Sequence, residues 1–195
     1  MKPLILASAS PRRQELMKNL GLSFEIMPSD VDEHIEGDLS PDQIVEQLAL
    51  RKAEHVALHK QSGLVIGSDT IVVHNGLILG KPRDNEEAFH MLSQLQNQKH
   101  VVYTGVAIVD AATGKKKAAH QATIVKIKML TNEHILRYIS TGEYYDKAGS
   151  YAIQGYGATL VSEIEGDYFT VVGLPLSLLS DMLEDFGVEV LPKLS

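Results

Sequence analysis

The apolar positions of this chain alternate between two periods. Compact apolar runs at Leu4–Ser8, Phe24–Met27 and Leu64–His74 read as strands. Between them lie helix signals. Ser10-Pro11 predicts an N-cap with proline at the first helical position, opening a helix to Leu20 that Gly21 stops. Ser40-Pro41-Asp42-Gln43 is a capping box, and the helix it opens runs to Lys60. On a helical wheel Ile44, Val45, Leu48, Ala49 and Val56 form one arc, and Lys52 falls near its middle. Asn75-Gly76 predicts a two-residue hairpin loop. Asp84 caps a helix to Leu95, and Val101–Val109 pairs with Ala122–Met129 across a turn at Thr113-Gly114. Thr131 caps a short helix ending at Gly142. A glycine-rich stretch, Ala148–Gly157, precedes a strand or two reaching Val172, and Pro175 opens a last helix to Phe186. Hairpins mixed with crossovers predict an α/β fold with a mixed sheet and flanking helices.

Composition narrows the function classes. A chain of 195 residues without repeat, low-complexity tract or linker is expected to form one domain over 1–195. Hydrophobic residues at 44% and charged residues at 22% exclude global disorder. With 25 acidic and 18 basic side chains the net charge is −7. That opposes general nucleic-acid binding, yet a few converging cations would still hold a small phosphate ligand. There is no cysteine, which excludes a disulfide scaffold, a thiolate zinc site and a cysteine nucleophile. The apolar start reads as a buried strand, not a leader, and no run is long enough to span a membrane, so a cytoplasmic protein is expected.

Four places carry candidate chemistry. Ser8-Ala9-Ser10-Pro11-Arg12-Arg13 runs from a strand into a helix N-terminus. Its two arginines oppose the helix dipole, a conflict an anion would remove; the plain alternative is that Ser10 caps and both arginines lie in water. Asp69 interrupts the apolar run Leu64–Val73, where a carboxylate is costly unless paired, hydrogen-bonded or on a metal; the alternative is a turn cap at a sheet end. If Asn75-Gly76 is the hairpin loop, continued pairing puts Lys81 opposite Thr70, one step from Asp69. Lys52, on the core-facing stripe, either snorkels out or meets an anion inside. Asp30-Val31-Asp32-Glu33 is an acidic loop able to supply a metal ligand, and Gln154 has donors and acceptors that suit a base edge. Gly76–Lys81 is not a phosphate-binding Walker loop, because the spacing is short and Pro82 stands where serine or threonine is required. His55 and His59 lack the glutamate that a helical zinc motif needs.

Together, Ala7-Ser8-Ala9-Ser10-Pro11-Arg12-Arg13, Gly67-Ser68-Asp69-Thr70, Gly80-Lys81-Pro82, Asp146-Lys147-Ala148-Gly149 with Gln154-Gly155, and Gly166-Asp167-Tyr168 through Gly173-Leu174-Pro175 resemble the Maf family of nucleotide pyrophosphatases, from Leu4 to Phe186. The resemblance implies a Maf/inosine-triphosphatase-like fold with two lobes around a cleft. It implies hydrolysis of a nucleoside triphosphate to monophosphate and diphosphate, with a divalent metal, Mg²⁺ or Mn²⁺. Asp69 then corresponds to the proton acceptor, and Ser8, Arg13, Glu33, Lys52 and Lys81 to phosphate-binding and catalytic positions. Glu33 and Asp69 would hold the metal, whose hard-oxygen preference they match. Arg12, Thr70 and Gln154 fall on specificity positions, in a combination similar to the dTTP/UTP branch and unlike the 7-methyl-GTP branch, with modified pyrimidine nucleotides left open. Ser68 and Ser150 replace alanines common in the family. Relatives are linked to arrest of septum formation, so the alternative expectation is a non-catalytic nucleotide-binding regulator of that process. The expected partner is the nucleotide, with no nucleic acid or membrane; a homodimer stays open.

Overall fold

The computed structural model describes residues 2–35 and 37–192. Seven strands form one mixed sheet in the order β2-β1-β3-β5-β6-β7, with β4 paired to β3. The strands are β1 (Leu4–Leu6), β2 (Phe24–Ile26), β3 (Leu64–His74), β4 (Leu77–Leu79), β5 (Lys99–Asp110), β6 (Lys116–Ile127) and β7 (Val161–Glu165). The helices are α1 (Pro11–Asn19), α2 (Pro41–Ala57), α3 (Asn85–Leu95), α4 (Asn132–Ser140), α5 (Tyr168–Val172) and α6 (Leu176–Glu184). Short 3₁₀ turns occupy Ala148–Ser150 and Gly155–Leu160. No helix among the described residues is long and apolar enough to cross a membrane.

The chain divides into two compact units. The first holds Met1–Asp69, Thr104–Gln121 and Gly173–Ser195; the second holds Thr70–Tyr103 and Ala122–Val172. In the first, β1 pairs in parallel with both β2 and the start of β3. Its core gathers Ile5, Ala7, Ala49, Ala53, Val56, Val65, Ala107 and Val109. The small residues of α2 in that list reflect a close approach. A Cβ on Gly67 would stand 2.2 Å from the Ala49 carbonyl, and one on Gly105 would stand 2.2 Å from that of Val45. Only glycine lets α2 lie this near β3 and β5.

In the second unit the hairpin forms as its sequence predicts. His74 pairs with Leu77, Val73 with Ile78 and Val72 with Leu79. Asn75 and Gly76 take φ of 50° and 78°, the positive pair that a twist-matched two-residue loop requires. The ladder ends at Leu79, so Lys81 is not paired opposite Thr70. The Gly80 carbonyl instead accepts from Gly149 N at 3.1 Å. The caps also form: Asp84 Oδ1 accepts from Glu87 N at 2.8 Å, and Thr131 Oγ1 from His134 N at 3.2 Å. Of the strand or two expected up to Val172, one forms, β7, and the stretch after it is the short helix α5. Asp167 turns it: its carboxylate accepts from Phe169 N at 3.2 Å and from both the amide and hydroxyl of Thr170 at 2.8 Å.

Candidate active site

β3 is buried on both faces around Asp69, which lies inside the strand and not at its end. Asp69 is 8% exposed and Lys52 9%. One helical turn of α2 separates Ala49 from Lys52 and Ala53, so the close contact at Gly67 sets Lys52 over the strand two residues on. Lys52 Nζ donates to Asp69 Oδ1 at 2.6 Å and lies 2.7 Å from Glu33 Oε1. The lysine on the core-facing stripe therefore meets anions inside and does not snorkel. Its charge makes burial of Asp69 tolerable, since an unpaired carboxylate there would cost several kcal/mol.

Glu33 comes from the loop after β2 and its side chain is half-exposed. The residue before Lys52 holds that loop. Arg51 Nη1 donates to the Asp32 carbonyl and, at 2.9 Å, to the His34 carbonyl, those of the two residues that flank Glu33. Consecutive side chains of α2 thus fix both the backbone and the carboxylate of Glu33. Nothing in the sequence pattern marks Arg51, because its partners are main-chain atoms far away in sequence.

The turn between β1 and α1 completes the group in this unit. Ser8 is buried, and its Oγ accepts from Ser10 N at 3.2 Å and from Arg13 Nη1 at 3.4 Å. Ser10 is the N-cap residue but its side chain makes no cap bond. Arg13 Nε donates to the Gly173 carbonyl at 2.8 Å, and the fully buried Ser68 Oγ donates to the same oxygen at 2.9 Å. Burial lowers the Arg13 pKa; Asp69 opposes this, Arg12 adds to it and Glu33 opposes it. Arg12 and Arg13 stand in the first turn of α1, which has no acidic residue, and Arg13 feels both Asp69 and Glu33. A helix N-terminus with this charge suits an anionic ligand.

The donor set also fits a hard divalent cation. Two carboxylates converge on one positively charged atom, the Lys52 ammonium, and Mg²⁺ or Mn²⁺ is commonly bound by one or two carboxylates with phosphate and water completing the shell. Among the described residues no group of three or more acidic or histidine side chains is arranged for a metal. Glu33 and Asp69 are the carboxylates on this ammonium that could hold such an ion.

The second unit carries Thr70, Lys81 and Gln154. Thr70 is half-buried on β3, and Lys81 is exposed between Gly80 and the buried Pro82. The Gly80–Gly149 bond ties the Lys81 segment to the loop after α4, where Asp146 and Ser150 hold φ of 63° and 64°. Such a conformation is costly for a residue with a side chain, and here packing and hydrogen bonds hold it. A Cβ on Gly149 would meet the Val72 side chain at 3.1 Å, and Ser150 Oγ lies 3.1 Å from Met91 Sδ. Gln154 is half-buried with extended backbone, at the entry to the second 3₁₀ turn.

Comparison with known proteins identifies the family. A family model described as Maf-like protein matches residues 3–186. A dTTP/UTP pyrophosphatase of Desulforamulus reducens is 57% identical over 190 residues, covering 97% of this chain and 100% of that protein. Another, of Pelotomaculum thermopropionicum, is 54% identical over 191 residues, 98% of this chain and 100% of its own. Among solved structures, a HAM1 protein from Coxiella burnetii superposes with a TM-score of 0.58 over 95% of this chain and 100% of its own, at 14% identity, a likeness of fold alone. The chain belongs to the Maf family.

Proposed function

We propose that this chain hydrolyses dTTP and UTP to the nucleoside monophosphate and diphosphate. The observation that carries the reading is the buried Asp69 carboxylate held by Lys52, with Glu33 on the same ammonium. The full-length relatives, each named a dTTP/UTP pyrophosphatase, supply the substrate class.

Ser8, Arg12 and Arg13 bind phosphate oxygens at the α1 N-terminus, where the helix dipole adds to the cationic charge. Lys81 contributes a further cation to the phosphates. Glu33 and Asp69 would hold Mg²⁺ or Mn²⁺, which when bound neutralises phosphate charge and makes water more acidic. Asp69 takes the proton of the water whose oxygen bonds to the α-phosphorus, while the bond from that phosphorus to the bridging oxygen breaks and diphosphate leaves. Lys52, 2.6 Å from its Oδ1, orients Asp69 for that transfer. Gln154 reads the base: its amide donates to a pyrimidine carbonyl and accepts from N3–H, a pattern that uracil and thymine present and cytosine does not. Arg12 and Thr70 share in selecting the base. The lack of cysteine supports a cytoplasmic setting.

The test is diphosphate release, read with added inorganic pyrophosphatase, across dTTP, UTP, CTP, ATP and GTP with Mg²⁺ or Mn²⁺. Turnover with dTTP and UTP leading is expected. Binding of triphosphates without turnover would overturn the enzymatic reading in favour of a nucleotide-sensing regulator.

A further inference from the structure

Glu143 is used twice on the loop that carries Gln154. Its Oε1 accepts from Tyr156 N at 2.9 Å and its Oε2 from Gly157 N at 3.0 Å. Each oxygen of one carboxylate therefore takes a separate backbone amide in the turn directly after Gln154. The fit is tight. Gly155 has φ of 64°, and a Cβ there would lie 2.4 Å from Glu143 Oε1.

The other arm of the same loop is closed independently. Ala152 N donates to the Tyr138 hydroxyl at 3.2 Å, and a Cβ on Gly157 would stand 2.1 Å from the Ala152 carbonyl. Residues 152 and 157 thus nearly touch, and Gln154 sits at the bend between them. Glu143 itself follows the end of α4, where its own amide donates to Thr141 Oγ1 at 3.2 Å. A helix terminus on one side and a buried tyrosine on the other leave the loop little backbone freedom, and the carboxylate supplies its charge-assisted bonds.

We infer that Glu143 is a positioning residue for base selection, acting through the backbone of 155–157 on the Gln154 amide; this rests on the proposed pyrimidine-nucleotide activity. A planar amide can match a carbonyl and an N3–H only when its backbone is held, and a site built for polar readout discriminates strongly because a mismatched group is buried unpaired. Glu143 touches neither phosphates nor the reacting atoms in this role. Releasing the loop therefore degrades the ranking of bases and not the chemistry they share.

The experiment measures kcat and KM for dTTP, UTP and CTP on the full chain, its Glu143→Ala and Glu143→Gln variants, and each change combined with Gln154→Ala. Losing two charge-assisted bonds is expected to lower kcat/KM for dTTP and UTP roughly 10- to 100-fold relative to CTP, mostly through KM. Glu143→Gln retains one acceptor oxygen and the side-chain volume, so it should lie between wild type and alanine. In the Gln154→Ala background the Glu143 changes should leave the ranking where Gln154→Ala has put it. An equal loss on all three nucleotides would make Glu143 merely structural and overturn the inference, as would a further change of ranking without Gln154. If Glu143→Ala does not fold, Glu143→Gln alone decides. A wild type that prefers CTP, or turns over none of the three, would instead overturn the proposed function.

Discussion

Gly67 of β3 lies directly under Ala49 of α2, so close that a Cβ on Gly67 would stand 2.2 Å from the Ala49 carbonyl and 2.9 Å from Ala53 N. Both obstacles are backbone, and neither can move without lifting the helix. Lifting α2 would also draw Lys52 from Asp69. Gly67→Ala should therefore cost about 3 kcal/mol or more, at or beyond the upper end for overpacking. Gly80→Ala, with nothing within 4 Å of its Cβ, serves as the control and should change stability by no more than about 0.5 kcal/mol. Urea unfolding of both variants checks this; equal stabilities would refute the packing account.

The Lys52–Asp69 pair makes rate and stability separable. Asp69→Asn keeps shape and removes the charge, and should cut turnover by roughly 10²–10⁴ with little loss of fold. Lys52→Met leaves two carboxylates without their ammonium, and breaking a buried pair from one side costs about 3–5 kcal/mol. Arg13 beside Asp69 moderates that loss. Combining Lys52→Met with Asp69→Asn should recover stability but not activity. Thermal melts and diphosphate release on the three variants decide; a double variant less stable than Lys52→Met would contradict the pairing.

Arg51 predicts a different phenotype. Its guanidinium holds, from the protein surface, the carbonyls of the residues either side of Glu33, so Arg51→Ala should fold normally. Loosening Glu33 should raise the Mg²⁺ or Mn²⁺ concentration needed for half-maximal rate by roughly 10-fold, the effect of about one charge-assisted bond. Titrating the metal at saturating nucleotide tests it. An unchanged metal requirement would remove Glu33 from metal binding or Arg51 from holding it.

The fold was legible where local chemistry and packing agree. β3 and its hairpin follow from an apolar run ended by Asn75-Gly76, and α2 from its capping box and apolar arc. The same arc marked Lys52 as facing inward. Local propensity is overridden at α5: Tyr-Phe-Thr-Val-Val favours a strand, yet three hydrogen bonds to Asp167 accompany its turn into a helix. Register carried too far misplaced Lys81, because the Gly80 carbonyl has a better partner in Gly149. Arg51, Glu143 and the Gly173 carbonyl were invisible for a common reason. Each works through main-chain atoms distant in sequence, and no spacing rule records that.

A buried histidine gives the fold a pH signature. His100 is buried on β5, its Nε2 2.7 Å from the Tyr151 hydroxyl and its Nδ1 without a partner. Burial, with His74 adding to it, lowers its pKa from 6.5 to about 4. The folded chain therefore keeps this ring neutral where the unfolded chain protonates it. Its contribution is complete above pH 6.5 and is lost as pH falls from there to about 4, by roughly 3 kcal/mol. His100→Gln can still bond Tyr151 but does not titrate. The difference in unfolding free energy between wild type and variant should shrink or reverse across that window; a constant difference would exclude the histidine.

Base choice tests the second unit. Uracil and thymine offer two carbonyls flanking N3–H, and one planar amide at Gln154 can donate to a carbonyl while accepting from N3–H. Cytosine presents N3 as an acceptor beside an amino donor, so the same amide orientation leaves a group unpaired. Thymine and uracil differ by one methyl group, worth at most about 1–3 kcal/mol in a shaped pocket, so both should be good substrates. Gln154→Ala removes the amide, and the advantage of dTTP and UTP over CTP should narrow. With Arg13 in its proposed phosphate-binding role, Arg13→Ala should slow all nucleotides alike, since phosphates carry no base information. Measuring kcat/KM for dTTP, UTP, CTP, ATP and GTP on these proteins separates the two roles. A Gln154→Ala variant with the wild-type ranking would take Gln154 out of base selection, and an Arg13→Ala variant with a new ranking would move Arg13 into it.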